Sequence, residues 1–316
     1  MILLCKLYLT FDTEDFISRN TIPVLQKILE SLEKYDMKGL FFITGYVAEK
    51  LQDFPEVVDL LKRHEIGYHS SSHSVHPTIY EFTDIEDYSK AYDVSIQRET
   101  AHINPLSGDI EGKGGISVLK NLFPNKRIIA FRAPGHCWSP PHLEALRSLG
   151  IEYDFSASAI SSLPASYKNI VFYPPPLMGH WQGKLSEYTT LLFSLGREMS
   201  ILTIHPSLFV NQDEWDAIYS KSNPKELVAP IARSRSETKS IFRKFDLFLR
   251  QLRDLQKISV LKVTANLEKP KKNLSLTRTE VENCYQTSMK WARQKGYEPK
   301  FLHKHFMKFF EMNPIK

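Results

Sequence analysis

Short apolar runs rich in β-branched and aromatic residues recur along this chain, separated mostly by stretches of helical period. The runs fall at residues 3–11, 39–43, 66–69, 128–131, 151–155, 170–173, 201–204 and 258–263. Between them lie helical patterns such as 55–63, 84–102 and 142–149. The longest, 238–257, sets Ile241, Phe245, Phe248, Leu252 and Leu255 along one stripe. Seven or eight strands alternating with helices predict an α/β fold, with a parallel sheet closed or nearly closed into a barrel. In such folds the chemistry sits at the carboxyl ends of the strands. Polar clusters stand at several of those ends: Asp12 and Glu14 after the first run, His69 and His73 after the third, Arg132 after the fourth and His205 after a late one.

Composition limits the remaining choices. A chain of 316 residues holds one large α/β domain with room for an appendage. Its 42% hydrophobic and 24% charged content is that of a globular protein, not of a disordered or membrane-spanning one. The apolar start is too short for a membrane span and lacks a basic leader, so it reads as a first buried strand. Cys5, Cys137 and Cys284 are an odd number without C-x-x-C spacing, which points to a reducing, cytoplasmic setting. The net charge of +5 is uneven: residues 269–316 carry eleven Lys and Arg against four Glu. These charges are scattered among hydrophobic residues, as on a solvated helical face, so nucleic acid is not an expected partner. We therefore divide the chain at a linker near Glu268, into 1–268 and a basic extension, 269–316, of two short helices around Pro299. Phe306, Met307, Phe309 and Phe310 give the extension an apolar face, to dock on the barrel or on a second copy as a homo-oligomer.

The histidine pair in His69-Ser-Ser-Ser-His73 carries the most chemistry. Two imidazoles four residues apart share one side of a helical turn or of a tight loop, so both can face one ion. One carboxylate from elsewhere completes three protein ligands and leaves positions open for water, as a catalytic divalent-metal site requires. On a strand, residues i and i+2 point the same way, so Asp12 and Glu14 can enter one mouth while Asp15 turns aside as a loop or capping carboxylate. Zn2+ is the default ion, with Co2+, Ni2+ or Fe2+ also compatible with the donor set.

Read in order, the motifs are Thr10-Phe-Asp12-Thr-Glu14-Asp15, His69-Ser-Ser-Ser-His73, Phe131-Arg132-Ala-Pro134-Gly135 and Leu202-Thr-Ile-His205-Pro206. This series resembles the polysaccharide deacetylase superfamily, the nodulation-type chitooligosaccharide deacetylases of carbohydrate esterase family 4, over residues 3 to 268. The resemblance implies a distorted (β/α) barrel with about seven parallel strands, to which the C-terminal helical extension is added. It also implies a metal-dependent hydrolase that removes N-acetyl groups from an amino sugar or oligosaccharide. Asp12 would be the general base on the attacking water, His69 and His73 metal ligands, and Arg132 the partner that orients Asp12. His205 would be the general acid for the departing amine, and a backbone N–H near Gly135 would face the oxyanion.

The first motif departs from the family's usual T-F-D-D-G: Thr13 replaces the ligand aspartate, as in a D-x-E variant that moves the ligand role to Glu14, with Asp15 as the other carboxylate in reach. Asp154, in Tyr153-Asp-Phe-Ser156, is a candidate to tune His205. Trp138, Trp181, His180 and Tyr188 are candidates for the sugar-binding surface, and His76 for an outer place near the metal. Three rivals stand beside this reading. They are an amidase or imidase of the same superfamily acting on a non-sugar amide, a two-histidine-one-carboxylate iron oxygenase, and a catalytically inactive carbohydrate-binding protein.

Overall fold

The computed structural model describes residues 4–156, 160, 163–177, 181–184, 187, 190–191 and 195–311. Seven parallel strands make the frame. They are β1 (Cys5–Thr13), β2 (Leu40–Ile43), β3 (Glu65–Tyr68), β6 (Ala130–Phe131), β7 (Tyr153–Asp154), β9 (Ile170–Phe172) and β10 (Met199–Ile204). A hairpin of β4 (Ala101–Ile103) and β5 (Ile110–Lys113) stands apart. The strands β8 (Ala165–Tyr167), β11 (Leu261–Val263) and β12 (Lys272–Asn273) extend the frame at its margins. The order is β10-β1-β2-β3-β6-β7-β9, continued by β8, antiparallel to β9, and by β12; β11 pairs with the start of β1. After β9 the chain passes along the outer edge of β10, where Leu177 and Trp181 donate backbone N–H groups to Ile201 (2.8 Å) and Thr203 (3.1 Å). The curled sheet is thus a distorted barrel in which irregular chain covers part of the β10 edge.

Period-two alternation decides which side chains enter the barrel. On β1, Leu7, Leu9 and Phe11 face outward into the main core beneath the helices, while Tyr8 belongs to the inner cluster with Phe42, Phe155, Tyr173 and Ile201. Asp12 is therefore on the inward face by register. The interior is packed rather than hollow. Phe155 stacks on Tyr173 at 4.0 Å, Tyr8 meets Tyr173 edge-on at 5.6 Å, and Phe42 lies 5.4 Å from Phe155. Gly67 on β3 admits Phe42, since a Cβ there would stand 2.6 Å from its ring.

Two expectations need correction. The helical pattern at 84–102 is a shorter helix, Tyr88–Glu99, followed by β4 and preceded by a separate short helix, Ile79–Thr83. The break is held by Asp84, whose carboxylate accepts from the N–H groups of Lys300 and Phe301 and from the Tyr297 hydroxyl; Asp87 then caps the next helix through Lys90 N–H. The C-terminal segment is one helix of 17 residues, Arg278–Gln294, opened by a Thr277/Glu280 capping box, and a shorter one, Leu302–Phe309. Its apolar face is buried within the chain itself and is not left open to a second copy: Phe306 stacks on Trp138 at 5.3 Å, with Phe309 and Phe310 also against that ring. No helix among the described residues is long and apolar enough to cross a membrane.

The fold also sets a pH response. His64 is buried, and its Nδ1 accepts the N–H of Gly39 at 3.1 Å. Burial, then the nearby Lys126, Lys38 and Arg63, lowers its pKa to about 4. A base whose pKa is depressed by folding supports stability fully above its unfolded value, near 6.5, and loses that support as pH falls toward 4. The loss amounts to about 3 kcal/mol at most. His64→Asn keeps an acceptor for Gly39 and removes the titration. Urea denaturation should show a flatter pH dependence between pH 7 and 4 in that variant, and an unchanged slope would exclude His64 as its source.

Candidate metal centre and active site

Glu14 is the hub. Its Oε2 lies 3.1 Å from His69 Nε2 and 3.0 Å from His73 Nε2, and its Oε1 accepts from Trp215 Nε1 at 3.0 Å. The donor atoms of Glu14, His69 and His73 lie within 4.8 Å of one another, and all three side chains are buried. Asp15 does not compete. One of its oxygens accepts from the N–H groups of Ile17 and Ser18 and the other from Asn211 Nδ2, so it caps the loop. Of the two carboxylates, Glu14 is therefore the candidate acidic ligand.

The histidine pair sits on a loop after β3, not on a helix. Ser70 and His73 have φ of +65° and +49°, in the left-handed region that costs a non-glycine residue about 1–2 kcal/mol. This turn brings His73 back beside His69, with ring centroids 5.1 Å apart. His69 Nδ1 lies 2.6 Å from the carbonyl oxygen of Arg132, to which it donates. Its Nε2 is then turned to the Glu14 carboxylate, so a proton or a cation is needed between the two atoms. Such a cluster fits a shared cation, and its donors, two imidazoles and a carboxylate, suit Zn2+ and its neighbours. The charges within the cluster also act on one another. Burial opposes charging His69, but Asp12 and Glu14 outweigh it and raise its pKa. Glu14 is likewise resisted by burial yet held well below the usual carboxylate range, chiefly by His73 and His205.

Asp12 stands beside this cluster. Its Oδ1 accepts from Arg132 Nη1 at 2.7 Å, and its Oδ2 faces His205 Nε2 at 3.7 Å. Arg132 is fully buried, with its guanidinium 4.5 Å above the Phe42 ring and its Nε–H on the carbonyl of Phe155. Burial would raise the Asp12 pKa, but Arg132 first, then His69 and His205, bring it to about 2. His205, at the end of β10, also lies 3.9 Å from Glu14 Oε1.

A cleft of about 340 Å3 opens above these groups, lined also by Gly135, His136, Glu214, Trp291 and Lys295. Gly135 has φ of +60°, and a Cβ there would fall 1.0 Å from Trp291 Nε1, so only glycine admits the indole. Two expected residues are elsewhere. Trp138 and Trp181 are buried in the core, Trp138 against Phe306 and Trp181 against Phe209, Phe245 and Phe248. Both are corrections to the expected sugar platform: large aromatic surfaces gain most by full burial. Asp154 is buried too, and accepts from the N–H and hydroxyl of Ser156. Burial raises its pKa to about 6. His76 is held by Glu81 and the Tyr219 carbonyl, both at 2.7 Å, away from the ligand cluster. His180 and Tyr188 lie outside the described residues.

The sequence reading missed Glu214, Trp215 and Asp216, His136, Trp291 and Lys295. The acid–aromatic run Asp213-Glu-Trp-Asp216, in a stretch without strand or helix period, was the one available signal. Burial first, then Glu14 and Asp216, pushes Glu214 up to about 8. Glu214 forms a second possible ligand group with Glu14 and His205. Burial, helped by Arg132, drops the His136 pKa to about 3, which keeps that ring neutral in the cleft wall.

Fold and site together define a barrel protein with a carboxylate–imidazole cluster at the carboxyl rim of its strands. The polysaccharide deacetylase family model matches residues 5–153, which span the first three motifs. No curated protein matches the chain. Among solved structures, 4-alpha-glucanotransferase from Thermococcus litoralis is similar at a TM-score of 0.52 and 12% identity, over 98% of this chain and 50% of that one. It speaks for the fold alone. The catalytic domain of peptidoglycan N-acetylglucosamine deacetylase from Eubacterium rectale aligns with 13% identity, 86% and 94% coverage and a TM-score of 0.43. A family 4 carbohydrate esterase from Bacillus anthracis aligns with 14% identity, 79% and 78% coverage and a TM-score of 0.35.

Proposed function

We propose that this protein is a divalent-metal-dependent N-deacetylase acting on a short or terminal N-acetylated amino sugar. The observation that carries the reading is the meeting of Glu14, His69 and His73 with Asp12 and His205 on one cleft. An ion held by Glu14, His69 and His73, most simply Zn2+, supplies Lewis-acid polarisation of the acetyl carbonyl and makes the attacking water more acidic. The protein's own groups do the rest. Asp12, kept ionised and oriented by Arg132 through Oδ1, takes the water proton at Oδ2. The N–H at Gly135 donates to the oxygen that gains charge. His205 Nε2 delivers a proton to the sugar nitrogen as the C–N bond breaks, giving acetate and a free amine.

The C-terminal helix supports a short substrate. Trp291, Gln294 and Lys295 wall the cleft on one side, and about 340 Å3 is at the small end of ligand pockets. The test is acetate release from N-acetylglucosamine, its oligomers and small cyclic amides, by chelator-stripped protein reloaded with Zn2+, Co2+ or Ni2+. Metal-dependent acetate release that does not rise with chain length is expected. Cleavage of cyclic amides alone would favour the amidase rival, and glycan binding without acetate would mark an inactive binding protein.

A further inference from the structure

We propose that Lys295, Asp216 and Ser74 form a brace that fixes His73 in its metal-binding tautomer, making the C-terminal helix a working part of the metal centre. The inference rests on the metal site proposed above. His73 Nδ1 lies 2.8 Å from Ser74 Oγ, Ser74 Oγ lies 2.5 Å from Asp216 Oδ2, and Lys295 Nζ lies 2.5 Å from that same oxygen and 3.1 Å from Ser74 Oγ. Ser74 is fully buried, and the side chains of Lys295 and Asp216 are each 12% exposed.

Donor counting assigns the protons. A serine hydroxyl has one proton to give and two lone pairs. An ionised Asp216 can only accept, so it takes the Ser74 proton; Lys295 can only donate, so it fills one Ser74 lone pair. Ser74 is left able only to accept from His73. The proton of His73 is thereby held on Nδ1, and Nε2 is left as a lone pair aimed at Glu14 and any ion between them. Remove Asp216, or the Lys295 charge that holds Asp216 ionised at this serine, and the hydroxyl can rotate to donate to Nδ1, which moves the proton to Nε2 and blocks ligation. The brace gathers residues from three distant stretches, and two of them lie beyond residue 153, where the family match ends.

The experiment uses the full chain, with Zn2+ titrated against a chromophoric chelator and melting measured with and without metal. Lys295→Met and Asp216→Asn should bind Zn2+ about 10–100-fold more weakly than the unaltered chain, the usual effect of losing such outer partners. Lys295→Arg should recover most of the affinity. If either main variant fails to fold, Ser74→Ala, which deletes the acceptor with little change in volume, should show the same loss. Variants that melt lower without metal yet keep full Zn2+ affinity would reduce the brace to a structural contact and overturn it. An unaltered chain that binds no divalent ion overturns the brace and the metal site together. One that binds Zn2+ but releases no acetate sinks only the deacetylase reading.

Discussion

Asp12→Asn should lower kcat for acetate release by about 10^2–10^4-fold, the usual contribution of a positioned general base. Zn2+ should still bind, because Glu14, His69 and His73 are untouched. The amide keeps the shape of the carboxylate but cannot take a proton, so the loss should appear in kcat more than in KM. Metal content and steady-state rates measured on one preparation check both halves. A variant that retains turnover within tenfold of the unaltered chain removes Asp12 from the proposed role. Loss of metal alongside activity would instead place Asp12 among the ligands.

Arg132→Met should cost about 3–5 kcal/mol of folding stability, measured by urea denaturation at neutral pH, because it strands a buried carboxylate without its cation. Arg132 is fully buried and Asp12 nearly so. The same pair sets an acid limit. With its pKa lowered to about 2, Asp12 contributes stability that is complete above its unfolded value, near 4, and fades as pH falls through 2. Combining Arg132→Met with Asp12→Asn should restore part of the loss, since no charge is then stranded. A single variant that loses under 1 kcal/mol, or a double variant worse than the sum of the two, contradicts this account.

What could be read from the sequence was what local periodicity controls. The apolar run at 3–11 foretold a buried first strand, the i, i+2 rule put Asp12 and Glu14 in one mouth, and the pattern of runs placed His69, Arg132 and His205 at strand ends. What escaped depended on partners far away in the chain. Trp138 looks like a sugar platform until Phe306, arriving from the C-terminal helix, stacks on it. The helix expected from residue 84 starts only at Tyr88, because Asp84 is taken up by bonds to Tyr297, Lys300 and Phe301. Lys295 had no motif to announce it. Its contacts with Ser74 and Asp216 come from the docking of a segment that composition alone marked as a solvated basic face.

The aromatic plug formed by Tyr8, Phe155 and Tyr173 has a kinetic consequence. Its rings fill the barrel interior beneath Asp12, so the cleft above the strand ends rests on a packed floor. On the proposed deacetylase reading, substrate, acetate and the freed amine share the cleft that Trp291 helps to line. Turnover in such a chamber is ordered by traffic as well as by chemistry, with the lingering product blocking the next arrival.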